Sequence, residues 1–549
     1  MTATADRPVA APPHPATGRT LTGTATLVRF MLRRDRVRLP AWAGGLAVFV
    51  LYLVTAIPSV YGDDEELAGA VALFADPIGR LLVGPGYGFD APGLARFIAG
   101  GYGLYLLILA ALMSLLLVTR HTRVEEQAGR AELVRANVVG RHAPLTATMV
   151  MAVITNLAAA VLVALVLIGV GGFPAAGSLL LAAGLGAVGL AFAGITAVTV
   201  QLSEYSRAAS GMAGIVLGVA FALRAGGDMV REGGSALSWV SPLGWGQQTA
   251  PYVLDRWWPL GLAVALAVVT TVAAFALSSR RDHGASLFAV RAGRPTASPS
   301  LGTPLGLALR LQRASIIGWT LAMAVGGALF GAFTEALLVA VEDMPEAFRE
   351  LFGAEHMVDG YLGYMALFMA YLAGVYVILA VQGLRSEETG GRAEPVLATP
   401  VSCGAWLGSH LLVTVGGLVV VLAATGLGTG AAAAVVTGEW AYLGALVGAH
   451  LTHVPAVLVV LALAALLFGV LPRALPAVWV VVGYAFFVGT FGPLLEVPEV
   501  LFDLSPYGHA AEVPAEPFTL APLVVLTVVA VAVALLGVVG FRRRRVDGT

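Results

Sequence analysis

The chain has 549 residues, 58% of them hydrophobic and 12% charged, with a mean hydropathy of +0.86 and a formal net charge of -1. Soluble domains carry about 25% charged residues, so this balance excludes a water-soluble enzyme or a nucleic-acid-binding module and points to lipid. The single cysteine, Cys403, excludes an internal disulfide and a cysteine metal cluster.

Residues 1–21 are rich in Ala, Pro and Thr and read as a disordered cytoplasmic tail. They lack a basic segment followed at once by an apolar core, so no cleavable signal peptide is expected. Apolar runs then fall near 40–60, 97–119, 145–171, 177–201, 211–226 and 257–278. A second set falls near 315–341, 360–383, 405–434, 440–470, 475–495 and 519–540. A membrane helix needs roughly 20 apolar residues, so these runs predict an all-α polytopic membrane protein with about twelve spans. The run at 211–226 is short and Gly-rich. Residues 279–300 form a polar Arg, Gly, Ser and Pro stretch, expected as a cytoplasmic linker between a six-span unit at 22–278 and another at 301–541. Residues 542–549 are expected as a basic cytoplasmic tail.

The basic residues orient the chain. All 32 are arginine, since the sequence holds no lysine. Arg29 to Arg38 precede the first span, Arg120 to Arg141 lie between the second and third, and Arg280, Arg281, Arg291 and Arg294 follow the sixth. Arg542 to Arg545 follow the last. With an even span number all lie on one side, and the positive-inside rule makes that side, with both termini, cytoplasmic. The opposite loops hold the acidic groups Asp63 to Glu66, Glu342, Asp343, Glu496 and Glu499, together with Arg80, Arg96, Arg231, Arg256 and Arg349.

An internal repeat divides the chain. Arg123, Glu125-Glu126 and Gly129-Arg130-Ala131-Glu132 return as Arg385, Glu387-Glu388 and Gly391-Arg392-Ala393-Glu394, in both cases between a second and a third span. Arg33, Arg36 and Trp42 match Arg310, Arg313 and Trp319. Arg207 matches Arg473, and Ser241-Pro242-Leu-Gly matches Ser505-Pro506-Tyr507-Gly. An even number of spans per copy makes the two units parallel.

Several features carry functional expectations. The duplicated Glu-Glu/Gly-Arg-Ala-Glu loop is polar and, at two equivalent places, reads as a docking surface for a two-fold partner rather than a solvated loop. Segments Leu21–Leu39 and Leu301–Ser315 mix apolar residues with arginine and read either as amphipathic elbows at the interface or as ordinary positive-inside flanks. The Ser-Pro elements, with Trp245 and Tyr507, would form either short re-entrant segments at an extracellular gate or plain interfacial turns. Tyr102, Tyr105, Tyr364 and Tyr371 could line a substrate cavity, with helix packing the simpler reading. Glu335, Arg224, His410, His450 and His453 are the candidate ionisable groups inside spans. His450 and His453 share a helix face as metal ligands would, yet no partner carboxylate or thiolate accompanies them, so core histidines bonded to backbone are expected.

The absence of lysine is decisive for ATP. A phosphate-binding loop of the Gly-x-x-x-x-Gly-Lys-Ser/Thr type needs its lysine on the β/γ-phosphates, so that site is not in this chain. No nucleophile constellation stands out either, and neither a catalytic residue nor a bound metal is expected.

Six spans per unit, an amphipathic entry segment, the Glu-Glu/Gly-Arg loop after the second span and the Ser-Pro-x-Gly element before the sixth resemble the ABC-2 type exporter permeases. The fused pair, over residues from about 22 to 541, is similar to the actinobacterial polyketide-antibiotic exporters of the tetronasin-resistance group. The resemblance implies a separate ATP-binding subunit in two copies, carrying ATP and Mg, docked under Glu125, Glu126, Arg130, Glu132 and their second copies. It also implies outward movement of hydrophobic or amphipathic compounds. The alternative is a proton-coupled secondary multidrug transporter, which would need mid-membrane acidic residues. A membrane enzyme acting on lipid-linked substrates would need an acid, base or metal cluster at the membrane surface, and the sequence offers none.

Overall fold

A computed structural model describes residues 20–61, 64–75, 77–91, 93–281, 287, 296–334, 357–492 and 497–544. Asp63, Arg291, Arg294, Glu335, Glu342, Asp343, Arg349, Glu496, Arg545 and most of the expected N-terminal tail lie outside the described residues. Those described form helices, turns and loops. Among the described residues, twelve helices are long and apolar enough to cross a membrane. This is the all-helical polytopic architecture expected, and the chain is a multi-pass integral membrane protein. It divides into two compact units, Met1–Arg291 and Ala292–Thr549.

In the first unit the spans are Arg38–Ser59, Leu94–Gln127, Ala143–Gly169, Ala175–Leu202, Ser206–Val230 and Trp258–Ser278, here spans one to six. Span five is a full 25-residue helix, longer than its apolar core at 211–226 indicated. Span two begins with the α-helical turn Leu94–Phe97 and passes into a π-helical turn at Ile98–Tyr102, where a Cβ on Gly100 would sit 2.8 Å from the Phe89 ring. It then runs past the apolar run into charged sequence. Span four is central: 78% of its apolar window is buried, against 11% for span six. A helix apolar on every face yet exposed within its unit presents that surface to lipid. Polar groups inside the unit are paired. Asn156 of span three donates to the Ser114 hydroxyl of span two at 2.9 Å, and threonines such as Thr155 and Thr196 bond the carbonyl one turn back.

The second unit holds Pro304–Ala332, Met357–Thr389, Cys403–Thr437, Ala441–Val470, Pro472–Thr490 and Leu520–Arg543, spans seven to twelve. Span ten changes direction at His453, where Pro455 begins a new helix, Val454–Val470. Spans ten and twelve meet through glycine. A Cβ on Gly469 would sit 2.0 Å from the Gly537 carbonyl oxygen, and one on Gly537 would sit 2.7 Å from the Ala465 backbone. Small residues let membrane helices approach this closely. Gly537→Val therefore forces these helices apart. The expected cost is about 1–3 kcal/mol, read as a lower Tm of the purified protein in detergent; an unchanged Tm would refute the close packing.

Only one of the two expected elbows is a separate helix. Thr24–Arg34 forms an amphipathic helix that buries Met31 against Leu117 and Leu145 and exposes Arg29 and Arg33. The chain turns at Asp35–Val37 before span one. Pro40 explains the break: it has no N–H to give the carbonyl one turn back, and its ring would clash there. The repeat puts Ile317 at that position, and Pro304–Ala332 is one continuous helix. The segment Leu301–Ser315 is thus the entry into span seven rather than an independent elbow.

Candidate functional site

The repeated loops fold alike at the same end of each unit. In the first, helix Arg123–Gln127 is followed by Gly129 at φ +69° and helix Arg130–Arg135. In the second, span eight continues to Thr389, Gly391 again has φ +69°, and helix Glu394–Leu397 follows. That left-handed angle is costly for any residue with a Cβ, which accounts for the glycine in both copies.

Adjacent glutamates in each motif point in different directions. Glu125 accepts two hydrogen bonds from Arg130, at 2.8 and 3.0 Å, and pairs with Arg34 of the elbow at 2.7 Å. Glu387 accepts two from Arg392, at 2.8 and 3.1 Å. These pairs lie outside, with the Arg130 and Arg392 side chains 48% and 58% exposed. Hydrogen bonds to the carboxylates raise both guanidinium pKa values above the ordinary value.

Glu126 and Glu388 turn inward. Glu126 pairs with Arg123 at 2.7 Å and with Arg281, beyond the end of span six, at 2.7 Å. Arg123 also donates to the Val200 carbonyl of span four, and Arg281 to Gln201 at 2.6 Å. Glu388 pairs with Arg385 at 2.9 Å and with Arg544, beyond the end of span twelve, at 2.8 Å. The Arg544 guanidinium also lies 5.3 Å from the Phe468 ring centroid and 5.1 Å from that of Phe541. Each unit therefore repeats one construction: a carboxylate held between its loop arginine and an arginine past the last span. Glu126 and Glu388, expected on a docking surface, are internal brackets. Their partners occupy them and little of either carboxylate is exposed. Arg544, expected in the basic cytoplasmic tail at 542–549, is anchored to Glu388.

The outward face of the first loop carries Glu132, Leu133 and Val138, the last two 71% and 89% exposed. A cavity of about 520 Å³ beside it has apolar lining from Leu27, Phe30 and Leu145, and Arg34, Arg130 and Arg141 among its charged groups. In the second loop the exposed residues include Arg392, Glu394, Pro395 and Pro400.

A family model described as multidrug efflux system permease Rv1217c, C-terminal domain, matches residues 301–542. The multidrug efflux system permease protein Rv1217c of Mycobacterium tuberculosis is 37% identical over 542 residues, covering 97% of each chain. The chain belongs to this family of multidrug efflux permeases. The paired brackets described above are thus features of a permease that repeats its six-span unit.

The remaining expected site residues of this permease fall elsewhere in the units. Ser241 caps helix Pro242–Gln247 by accepting from the Gly244 N–H, with Pro242 in its first turn. Its hydroxyl also donates to the Ala220 carbonyl at 2.7 Å, and the Trp245 indole to the Trp239 carbonyl at 2.6 Å. Ser505 caps the turn Pro506–His509 by accepting from the Tyr507 N–H. Both Ser-Pro elements are short helical turns packed into their units. Tyr507 is buried, its ring 4.8 Å from that of Tyr371. Tyr371 belongs to the core of the second unit; Tyr364 is half-buried. In the first unit Tyr102 packs on Phe97 and Tyr105, and Tyr105 is 41% exposed. His450 Nδ1 donates to the Leu446 carbonyl at 2.8 Å, the backbone pairing expected of a core histidine. No group of metal-ligating side chains occurs among the described residues.

Three arrangements escaped the sequence reading. Arg281 and Arg544 lay among runs of arginine that look like positive-inside flanks. Asp35 is buried and accepts from Arg120 at 2.9 Å and pairs with His121 at 2.7 Å. Its counterpart in the repeat, Gln312, bonds the His410 carbonyl at 3.1 Å and Thr414 at 2.9 Å. The signal available was a polar residue at one repeat position inside otherwise apolar or basic sequence.

Proposed function

We propose that this chain is the membrane-spanning subunit of an ATP-driven exporter. It moves hydrophobic or amphipathic compounds, antibiotics among them, out of the cell, and a separate ATPase supplies the work. Within the wider class the repeated motif favours the polyketide-antibiotic exporters of the tetronasin-resistance group. The observation that carries the reading is the bracket built twice, Arg123–Glu126–Arg281 and Arg385–Glu388–Arg544. It ties each polar loop to the end of its unit's last span, so a force on the loop reaches the helices. Two equivalent loops suit two copies of one ATPase. Arg130, Glu132, Leu133 and Val138, with Arg392 and Glu394, form the contact face; Glu126 and Glu388 transmit. ATP and Mg²⁺ bind on the partner, because a chain without lysine has no phosphate-loop lysine. Both termini and both loops are cytoplasmic, on the side rich in arginine.

Cysteine cross-linking tests the contact face. In a Cys403→Ser background, Val138→Cys and Pro400→Cys are each expected to cross-link to the separate ATPase subunit that this reading requires. A cysteine at the lipid-facing Val268 is expected to give none. Absence of cross-links at both loops, with the ATPase present in the membranes, would overturn the docking assignment.

A further inference from the structure

The first unit contains a second cavity, of about 630 Å³, that the permease reading leaves unused. It lies where the elbow turn, the start of span one, the last turns of span two and the start of span five come together. Trp42, Met113 and Leu116 give it apolar walls, and Arg38, Arg120 and Arg207 are basic. Leu116 is 49% exposed, so the wall continues onto the lipid-facing surface of span two. Asp35 lines it too, but its carboxylate is already taken by Arg120 and His121. Among the described residues no carboxylate lies within ion-pair distance of Arg38 or Arg207, and both side chains are exposed. Two guanidiniums that no described carboxylate pairs, set over an apolar cleft, match an amphiphile with an anionic head.

The level of the cavity identifies the source. Arg38 opens span one, Arg120 lies near the end of span two and Arg207 opens span five, so all three stand at the membrane surface on the bracket side. Basic pockets between spans at that level bind anionic lipid head groups. The repeat shows that the site is not a by-product of the fold. Matching positions in the second unit hold Ser315 for Arg38 and Gln382 for Arg120, and Arg473 alone remains.

We propose that this cleft holds one anionic phospholipid of the adjoining leaflet, its phosphate between Arg38 and Arg207 and an acyl chain along Trp42 and Leu116. The lipid fills the space between elbow and span five, and so ties the bracket end of the first unit to membrane composition.

Native mass spectrometry of the purified full chain, titrated with dioleoyl phosphatidylglycerol or dioleoyl phosphatidylcholine, tests this. The expected result is one phosphatidylglycerol retained with clear preference over phosphatidylcholine. In Arg38→Gln/Arg207→Gln its affinity should fall about 30-fold, since each basic residue near an anionic head is worth about 1 kcal/mol. Arg473→Gln should leave it unchanged. Should the double variant not fold, Arg38→Gln and Arg207→Gln singly should each weaken binding about fivefold. Equal retention of the two lipids, or undiminished preference in the arginine variants, would overturn the proposal.

Discussion

Glu126→Arg together with Glu388→Arg should reduce drug efflux to background while the protein still inserts. Each substitution replaces the carboxylate between two guanidiniums with a third positive charge. Losing one partner of a buried ion pair costs about 3–5 kcal/mol, because the remaining charge stays desolvated. Here it also severs the tie between the loop and Arg281 or Arg544. The loop then docks without moving the spans. Combining Glu126→Arg with Arg281→Glu restores opposite charges across the 2.7 Å contact and should recover part of the activity lost by Glu126→Arg alone. Glu132→Arg, on the exposed face, should weaken ATPase binding without needing an internal partner. The measurements are drug retention in whole cells, membrane abundance by immunoblot and ATPase co-purification. Full efflux in the double reversal would remove the bracket from the mechanism.

Arg224→Leu should destabilise the first unit as severely, at its opposite end. Arg224 is fully buried near the end of span five and pairs with Asp228 at 3.4 Å. It also donates to the Leu81 carbonyl at 2.8 Å, in helix Pro77–Val83 between spans one and two. Asp228 accepts from Ser238 at 2.6 Å, and Arg80 donates to the Asp228 carbonyl at 3.1 Å. One guanidinium thus joins span five to the loop after span one, and the carboxylate joins both to the turn before Ser241. Removing it leaves a buried carboxylate and free carbonyls, again about 3–5 kcal/mol. Arg224→Lys should rescue little, since a point-charge ammonium lacks the planar fork that reaches the Asp228 carboxylate and the Leu81 carbonyl together. Arg224→Leu with Asp228→Leu should be milder than Arg224→Leu alone, because no unpaired charge remains. Thermal unfolding of each variant in detergent reads the ranking; an Arg224→Leu protein as stable as the parent would contradict it.

Much of this was legible because a bilayer imposes a length. Each span needs about 20 apolar residues, so span number and approximate position follow from hydropathy. Helix ends did not, since helix continues where apolarity stops. Span eight runs through Arg385, Glu387 and Glu388 to Thr389, and span two through Arg123 to Gln127. The loop motif was legible because it occurs twice. Its internal division was not: neighbouring helical residues point about 100° apart, so Glu125 and Glu126 serve different faces, and only their partners tell which is inside. Those partners, Arg281 and Arg544, are distant in sequence and lie within arginine runs. The missing second elbow was readable in principle, from Pro40 standing where the repeat has Ile317. Arg224 looked like an ordinary charge near a span end. Its network comes from Leu81, Asp228 and Ser238, which no local pattern connects.

The most direct test of the central claim is substrate transport by the purified chain in proteoliposomes, with and without an ATPase that co-purifies with it from native membranes. The account predicts that the chain alone is inactive under a proton gradient, and that added ATPase and Mg-ATP give transport lost when Glu126 and Glu388 are reversed. Transport by the chain alone, driven by the proton gradient without ATP, would contradict it.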